Sequence, residues 1–278
     1  MRGPALVEVQ DLSVRFGDTR ALDGVSLTAP AGAVTAVVGG DGAGKTTLLR
    51  AVVGQVAPTS GSVRAPEQAS IGYLPASSGS WVGLSVQENL EFVGGAHGLR
   101  GADLARRADD LLAAAGLEAF ADRLSGQLSG GMRRKLGVIL AMVHDPTLLV
   151  LDEPSTGVDP VSRVDLWRLA SRAAAAGAAV LMSTTYLDEA ERARHVLVLD
   201  HGRTLVSGTP AQVLAALPGV LTSARAAVRP EWAWRRGRAT HELWPDGDPP
   251  DGLTVIDADL EDVVIGRALH AAAQRTTA

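Results

Sequence analysis

Two groups of polar residues have the types and the spacing that chemistry on a nucleotide phosphate needs. The first lies between Gly39 and Thr46, which fits the pattern G-x-x-x-x-G-K-[ST] throughout. Glycines let a backbone wrap closely, so that successive N–H groups point at phosphate oxygens. In such a loop Lys45 places a compact positive charge on the β- and γ-phosphates, and the Thr46 hydroxyl is a ligand for Mg²⁺. The predicted phosphate-binding residues are Gly39, Gly40, Asp41, Gly42, Ala43, Gly44, Lys45, Thr46 and Thr47.

The second group is a pair of acids, Asp152 and Glu153, which follows the apolar run 148–151. A buried strand would carry both carboxylates to its C-terminal end, where ligands bind in parallel sheets. We expect Asp152 to orient Mg²⁺ through its water shell. Glu153 is expected to polarise the attacking water as a general base.

These residues need a scaffold, and the chain has the pattern of an α/β fold. Short β-branched and apolar runs alternate with glycine turns and longer helical patterns, which predicts a mainly parallel sheet. The phosphate loop would lie between the strand 34–38 and a helix over 46–53, as its pattern requires. Residues 58–66 are expected to form turns. Strands are expected at 6–9, 25–28, 34–38, 70–74, 148–151, 179–183 and 196–200.

The predicted secondary-structure pattern changes twice along the chain. From Leu84 to Pro146 it is helical, and Ser85 with Glu88 fits a capping box at a helix start. A later helix is expected over 132–143. After residue 210 the chain has the pattern of a separate tail, with short strands and a last helix from about residue 260. Trp232 and Trp234 alternate as on one face of a strand.

The composition of the 278 residues limits the classes of function. No run approaches the roughly 18 uninterrupted apolar residues that a membrane span needs. The absence of cysteine excludes disulfides and thiolate metal sites and fits a reducing cytoplasm. A net charge of −5 argues against general affinity for nucleic acid. The basic residues 133–135 are expected to form the solvated face of a helix.

The string LSGGM, from Leu128 to Met132, lies a short helix upstream of LLVLDE. It resembles the LSGGQ signature of ABC-type ATPases, with Met132 in the last place. The resemblance covers about the first three quarters of the chain. It implies a P-loop ABC ATPase domain over 1–209, with a RecA-like core, an N-terminal antiparallel β portion and a helical signature subdomain over about 84–146. Residues 210–278 would form a small α+β C-terminal extension.

In this family each ATP lies between the phosphate loop of one subunit and the signature of another. The resemblance therefore implies a dimer in which Ser129 and the glycine amides face the γ-phosphate from a helix start. Asp159 resembles the key acid of the loop that crosses the dimer interface. ATP binding would close the pair and hydrolysis would reopen it. The signature residues are Leu128, Ser129, Gly130, Gly131 and Met132.

Three further positions bear on the resemblance. Phe16 resembles the aromatic residue that stacks on adenine, with a packed core phenylalanine as the alternative. Ala76 stands where the family places a glutamine that touches Mg²⁺ and the attacking water. Thr185 stands where a histidine contacts the γ-phosphate, and a threonine supplies one hydrogen bond but no imidazole. Two interpretations follow: slow hydrolysis through Glu153, or the weak half of a heterodimer.

The segments LSGGMRRKLGVILAMVHDPTLLVLDEPSTGVDP and STTYLDEAE closely resemble ATPase subunits of ABC-2-type exporters, including the drug-resistance group. ADLEDVVI, at 258–265, resembles the end of those proteins. The resemblance implies an ATP-driven motor subunit, as a homodimer or heterodimer, on a separate transmembrane permease and with no nucleic-acid partner. It would lie in the cytoplasm, on the inner face of the cell membrane. The alternative is an ATP-binding switch with little turnover. Substrate and direction of transport stay open.

Overall fold

The computed structural model describes residues 5–77, 79–245 and 247–277. Residues 1–4, 78, 246 and 278 fall within the two predicted domain ranges but lie outside the described residues. The strands are β1 (Ala5–Phe16), β2 (Thr19–Pro30), β3 (Ala33–Val38), β4 (Ser60–Arg64), β5 (Ile71–Leu74), β6 (Leu148–Leu151), β7 (Ala179–Thr184), β8 (His195–Asp200), β9 (Arg203–Gly208), β10 (Val220–Ala224), β11 (Ala233–Arg236), β12 (Ala239–Trp244) and β13 (Thr254–Val255). The helices are α1 (Lys45–Val52), α2 (Val86–Ala96), α3 (Gly101–Ala115), α4 (Gly130–Met142), α5 (Pro160–Ala175), α6 (Leu187–Ala190), α7 (Pro210–Leu214) and α8 (Leu260–Thr277).

A six-stranded sheet of order β5-β6-β7-β3-β8-β9 forms the centre of the fold. Neighbouring strands from β5 to β8 are parallel, and β9 is antiparallel at the edge. Every residue of β3, β6 and β7 is buried, as expected of strands covered on both faces. Alternate residues enter opposite cores: Val37 packs in the cluster that contains Leu48 of α1, and Val38 in the cluster that contains Leu166 of α5. The predicted α/β fold with a mainly parallel sheet is confirmed.

The order of the sheet brings the carboxyl ends of three strands to one edge. Val38 of β3 lies beside Thr184 of β7, and Leu151 of β6 lies beside Met182 of β7. The phosphate loop, the acid pair and Thr185 follow these three ends. The sheet therefore gathers segments that are far apart in the sequence.

A second, antiparallel sheet of order β2-β1-β4 comes from the N-terminal segment. β1 and β2 are much longer than the strands expected at 6–9 and 25–28, because register shifts along their pairing break the alternation that marks a strand. The turn expected at 58–66 is wrong in part, since β4 lies there and pairs with β1. Its residues are exposed except the half-buried Val63, so an apolar signal is missing.

Helices α2, α3 and α4 form the predicted helical block. The capping box is present: Ser85 Oγ accepts from the backbone N of Glu88 at 3.1 Å, and Ser85 N donates to Glu88 Oε2 at 2.7 Å. Helix α4 begins at Gly130, two residues before the expected start, because Ser129 caps it. None of the described helices is both long enough and apolar enough to cross a bilayer.

The last part of the chain carries a third sheet, of order β11-β12-β10-β13, and the long helix α8. Helix α8 begins at Leu260, as expected, and Arg267 Nη2 donates to the carbonyl of Leu205 in β9 at 2.8 Å. The two tryptophans do not share a strand. Trp232 lies in a short 3₁₀ turn, and Trp234 lies in β11 with its Nε1 donating to Asp262 Oδ1 at 3.2 Å.

Candidate nucleotide site

The phosphate loop connects the buried strand β3 to α1 and borders a cavity of about 340 Å³. Gly44 has φ of 104°, and a Cβ there would lie 2.7 Å from Leu22 Cδ2 and 2.8 Å from the Ala21 carbonyl oxygen. A side chain does not fit at this position, so the loop shape depends on glycine. The cavity is lined by Thr19, Arg20, Ala21, Gly40, Asp41, Gly42, Ala43, Gly44, Lys45, Thr46, Thr47 and Glu153.

Lys45 is held by three oxygens at the edge of this cavity. Its side chain is 4% exposed, and Nζ donates to the carbonyls of Gly39 at 2.7 Å and Gly40 at 3.0 Å. Nζ also lies 3.0 Å from Oε1 of Glu153. The ammonium charge is therefore neutralised within the chain by the carboxylate that sequence analysis assigned to catalysis.

Asp152 is fully buried at the end of β6. Its Oδ1 accepts from Ser183 Oγ at 2.7 Å and from Thr46 Oγ1 at 3.2 Å. Its Oδ2 is buried without a hydrogen-bond partner. Buried carboxylate oxygens are costly to leave unpaired, and an orphan beside a threonine hydroxyl fits a hydrated divalent cation.

Glu153 occupies a strained backbone conformation, with φ of 49°. Left-handed backbone is costly for such a residue and persists where surrounding contacts impose it. Here Ser183 Oγ accepts from Glu153 N at 2.8 Å, and Thr156 Oγ1 donates to Glu153 Oε2 at 3.0 Å. Lys45 and Thr156 thus each bind one carboxylate oxygen, so both oxygens are oriented.

Sequence analysis missed Ser183 and Thr156. Ser183 is the last residue but one of β7, after four apolar residues, and a polar residue at that carboxyl edge is the signal that would have singled it out. Thr156 lies three residues after Glu153, within hydrogen-bonding reach of its carboxylate.

The signature segment lies at the start of α4. Ser129 Oγ accepts from Met132 N at 3.2 Å, and both Ser129 and Gly130 are exposed. Leu128 is buried, and Met132 is partly buried against the main core. The signature residues are absent from the lining of the phosphate cavity as far as the described residues show.

Asp159 lies beside the signature of its own chain. It caps α5, accepting from Ser162 N at 3.0 Å and Val161 N at 3.1 Å. These hydrogen bonds lower the pKa of the Asp159 carboxyl group, and the bond from Ser162 has the largest effect. A Cβ on Gly131 would lie 3.3 Å from Asp159 Oδ2 and 2.7 Å from Ser162 Oγ. The signature helix and the loop before α5 therefore pack closely within one chain.

Phe16 ends β1 and is 54% exposed. It pairs in register with Thr19, which lines the phosphate cavity. The alternative of a packed core phenylalanine is wrong, because more than half of the side chain is open to solvent. Phe16 itself is not among the residues that line the cavity.

Ala76 and Thr185 are both exposed. At the end of β7 the polar contacts come from the two residues before Thr185. Ser183 Oγ donates to Asp152 Oδ1, and Thr184 Oγ1 donates to Glu189 Oε2 at 2.7 Å. The position after Thr185 is also engaged, because the Arg163 guanidinium lies 3.7 Å from the ring centroid of Tyr186.

The expected solvated face at 133–135 is wrong in part. Arg134 donates to the backbone of the loop that follows β5, and Lys135 Nζ lies 3.4 Å from Asp165 Oδ2 of α5. Both cations are half-buried between α4 and its neighbours, because their long aliphatic stems lie along the protein surface.

Comparison with known proteins identifies the family. Residues 22–156 match the family described as ABC transporter. The chain is 36% identical over 221 residues to the Nod factor export ATP-binding protein I of Cupriavidus metallidurans, covering 76% of this chain and 73% of that protein. This chain belongs to the ABC transporter family. The predicted resemblance to ABC ATP-binding proteins is confirmed.

Another ABC relative is the probable multidrug ABC transporter ATP-binding protein YbhF of Escherichia coli, 38% identical over 227 residues. That match covers 77% of this chain but 39% of the relative, so the chain spans well under half of its length. A solved structure described as an ATP binding subunit of an ABC transporter superposes with a TM-score of 0.69 at 28% identity. It covers 76% of this chain and 92% of that one.

Within this ABC fold the predicted site residues fall into two places. The phosphate loop, Asp152 and Glu153 meet at the carboxyl edge of the central sheet. The signature and Asp159 lie together at the start of α4 and α5. The predicted site residues therefore form two separate groups in the chain.

Proposed function

We propose that this chain binds Mg²⁺-ATP and hydrolyses it as the motor subunit of an exporter. The observation that carries the proposal is the joint position of Lys45, Asp152 and Glu153. The Lys45 ammonium and the oriented Glu153 carboxylate line one cavity. Asp152, a buried carboxylate with an orphan oxygen, is linked to that cavity through Thr46 Oγ1 at 3.2 Å. Phosphoryl transfer to water needs these three functions: charge stabilisation, a metal ligand and a group that orients the water.

Lys45 and Glu153 would divide the chemistry between them. A phosphate that enters the cavity competes with Glu153 for the Lys45 ammonium, and its interaction with Lys45 frees the carboxylate. Glu153, still held by Thr156, then accepts a proton from the attacking water. Backbone N–H groups of the loop and the start of α1 stabilise the phosphate charge.

Thr46 and Asp152 would hold the Mg²⁺ ion, which, when bound, neutralises charge on the β- and γ-phosphates. Asp152 is oriented for this by the hydroxyl of Ser183. Phe16 would stack on the adenine at the rim of the cavity.

We further propose that the working unit is a dimer. Ser129 and Gly130 are exposed at the positive end of α4, away from the phosphate cavity of their own chain. A second chain that faces the cavity would place these groups on the γ-phosphate. Asp159, packed against Gly131, would lie at the same interface. The second chain would be either an identical copy or a partner subunit.

A transmembrane permease of the ABC-2 type is the proposed membrane partner. Trp81 and Phe92 are 47% and 54% exposed, and their rings meet edge-on at 4.7 Å. The backbone of Trp81 is held by the buried Asn89, which accepts from Trp81 N at 2.8 Å and donates to Trp81 O at 3.1 Å. A rigid, exposed aromatic pair suits contact with another subunit. Docking there would place the chain in the cytoplasm, on the inner face of the membrane.

In this proposal residues 1–209 are the ATPase unit, with 84–146 as its helical part, and residues 210–278 are an appended extension. Support comes from the separate antiparallel sheet of the last part of the chain, which joins the rest mainly through contacts of α7 and α8 with β9.

A second candidate function is an ATP-binding switch with little turnover of its own, or the weak half of a heterodimer. It is favoured by Ala76 and Thr185, which are exposed and provide neither an amide nor an imidazole at the site.

Steady-state and single-turnover ATP hydrolysis by the full chain, with and without membranes containing the co-expressed permease, separates the candidates. The motor proposal expects hydrolysis that Lys45→Ala abolishes together with ATP binding. Tight ATP binding with no hydrolysis in either preparation would select the switch.

A further inference from the structure

Arg134 makes a contact that the phosphate site does not itself explain. It lies on α4, five residues after Ser129, and its guanidinium meets three successive carbonyls. Nη2 donates to Ala76 O at 2.5 Å, and Nη1 donates to Ser77 O at 2.8 Å with a longer contact of 3.4 Å to Pro75 O. A planar fork of donors suits such an array better than an ammonium does.

The loop at 75–77 borders the acid pair. It follows β5, whose last residue, Leu74, accepts from Asp152 N at 2.8 Å through its carbonyl oxygen. The negative charges of Asp152 and Glu153 also act on Arg134: burial lowers the pKa of the guanidinium, and the two carboxylates oppose that shift. Arg134 therefore lies close enough to Asp152 and Glu153 to interact with their charges.

The neighbouring cations on α4 have other partners. Arg133 Nη2 donates to the carbonyl of Leu128 at 3.2 Å, and Lys135 pairs with Asp165. Arg134 binds main-chain oxygens, so its contact does not depend on the side chain at position 76. This explains how the loop keeps a polar anchor although Ala76 supplies none.

We propose that Arg134 is a positioning residue that ties the loop 75–77 to the signature helix. When α4 moves as its N-terminus engages a nucleotide on another subunit, Arg134 carries the loop with it and so adjusts the surroundings of Asp152 and Glu153. When the signature binds the ATP of another subunit, it would thereby change the surroundings of Asp152 and Glu153 in its own chain. This inference rests on the proposed function, because it assumes hydrolysis at that site.

The absence of cysteine in the chain permits a direct test of the contact. In Ser77→Cys a single nitroxide reports the mobility of the loop, while the carbonyl that Arg134 binds is retained. The label is compared in the Arg134, Arg134→Ala, Arg134→Lys and Lys135→Ala backgrounds. Lys135→Ala is the matched control, since it removes a neighbouring cation from the same helix. Melting temperature, kcat and KM for ATP are measured on the same substitutions without the label.

We expect a more mobile label in Arg134→Ala, an intermediate one in Arg134→Lys, and no change in Lys135→Ala. We also expect kcat to fall by about tenfold or more in Arg134→Ala with KM changed by less than about twofold, since small misplacement costs rate on this order. Arg134→Lys should recover part of the rate.

An unchanged label in Arg134→Ala would overturn the contact, and a mobile label with unchanged kcat would overturn the positioning role. Equal losses of melting temperature and kcat in Arg134→Ala and Lys135→Ala would show a purely structural effect. Full recovery by Arg134→Lys would refute the need for the three-carbonyl fork. If the unaltered chain hydrolyses no ATP either with or without the permease membranes, the proposed function and the positioning role both fail, and the label still decides the contact.

Discussion

The ammonium of Lys45 lies 3.0 Å from Oε1 of Glu153, although both groups are proposed to act on a bound nucleotide. Lys45 is almost completely buried, so its charge needs a partner in the fold. Glu153 serves as that partner, and the carbonyls of Gly39 and Gly40 complete the shell. Lys45 and Glu153 therefore form an ion pair in this structure, and a phosphate that binds Lys45 would have to replace the carboxylate.

Glu153→Gln should lower kcat on the order of a hundredfold or more, because the general base is lost. ATP-dependent dimerisation should persist, since the phosphate-binding groups stay in place. Without nucleotide the melting temperature should also fall, because the buried Lys45 loses its counter-charge. Hydrolysis, light scattering and thermal melts with and without ATP measure these effects. The exposed Glu67→Gln is the control, and unchanged hydrolysis in Glu153→Gln would assign the base elsewhere.

The two signature glycines should separate folding from dimer formation. A Cβ on Gly131 would lie 2.7 Å from Ser162 Oγ and 3.0 Å from Ser162 Cβ, whereas nothing lies within 4 Å of one on Gly130. Gly131→Ala should cost about 1–3 kcal/mol of stability through overpacking. Gly130→Ala should leave the melting temperature unchanged or slightly raised, yet reduce ATP-dependent dimerisation and hydrolysis. Normal dimerisation and hydrolysis in Gly130→Ala would argue against a closed dimer over this segment.

Phe16→Ala should weaken ATP binding without loss of stability. Stacking of a base on an aromatic ring contributes about 1–3 kcal/mol, so Kd for ATP should rise by roughly fivefold or more. Phe16→Trp retains a stacking face and should bind ATP nearly as well as the unaltered chain. Calorimetric titration with ATP and with inorganic triphosphate checks this, because triphosphate has no base and its affinity should be unaffected. An equal loss of triphosphate affinity would exclude stacking as the cause.

His144 should make the protein less stable in mild acid. Burial, and then the charge of the His97 ring stacked on it at 3.7 Å, lower the pKa of His144 from 6.5 to about 4. Between pH 6.5 and about 4, His144 is therefore mostly protonated in the unfolded chain and mostly neutral in the folded chain. Stability should fall as the pH drops through this window, with uptake of up to about one proton on unfolding.

His144→Phe should remove that part of the pH dependence, and denaturant titrations at a series of pH values measure it. The exposed His201→Gln, whose ring pairs with Asp200, is the control. An identical pH dependence in His144→Phe and in the unaltered chain would contradict the assignment.

Local sequence was sufficient wherever a function or an element depends on consecutive residues. The phosphate loop, the apolar run ending in Asp152 and Glu153, and the capping box of Ser85 and Glu88 each lie within a short segment. The order of LSGGM before the acid pair was sufficient for the family. By contrast, β4 escaped prediction because its side chains are mostly exposed, and the full length of β1 escaped because bulges interrupt its alternation.

The hydrogen bonds that orient the site residues could not be predicted in this way, because they join residues that are far apart in the sequence. Ser183 reaches Asp152 across 31 positions and Arg134 reaches Ala76 across 58. The sequence alone therefore determined the family and predicted the groups that would carry the chemistry. The tertiary structure decided that Lys45 and Glu153 form an ion pair, that Asp152 Oδ2 has no hydrogen-bond partner, and that the signature residues are absent from the described lining of the phosphate cavity. Strand order and helix packing set these distances, and both arise from burial over the whole chain.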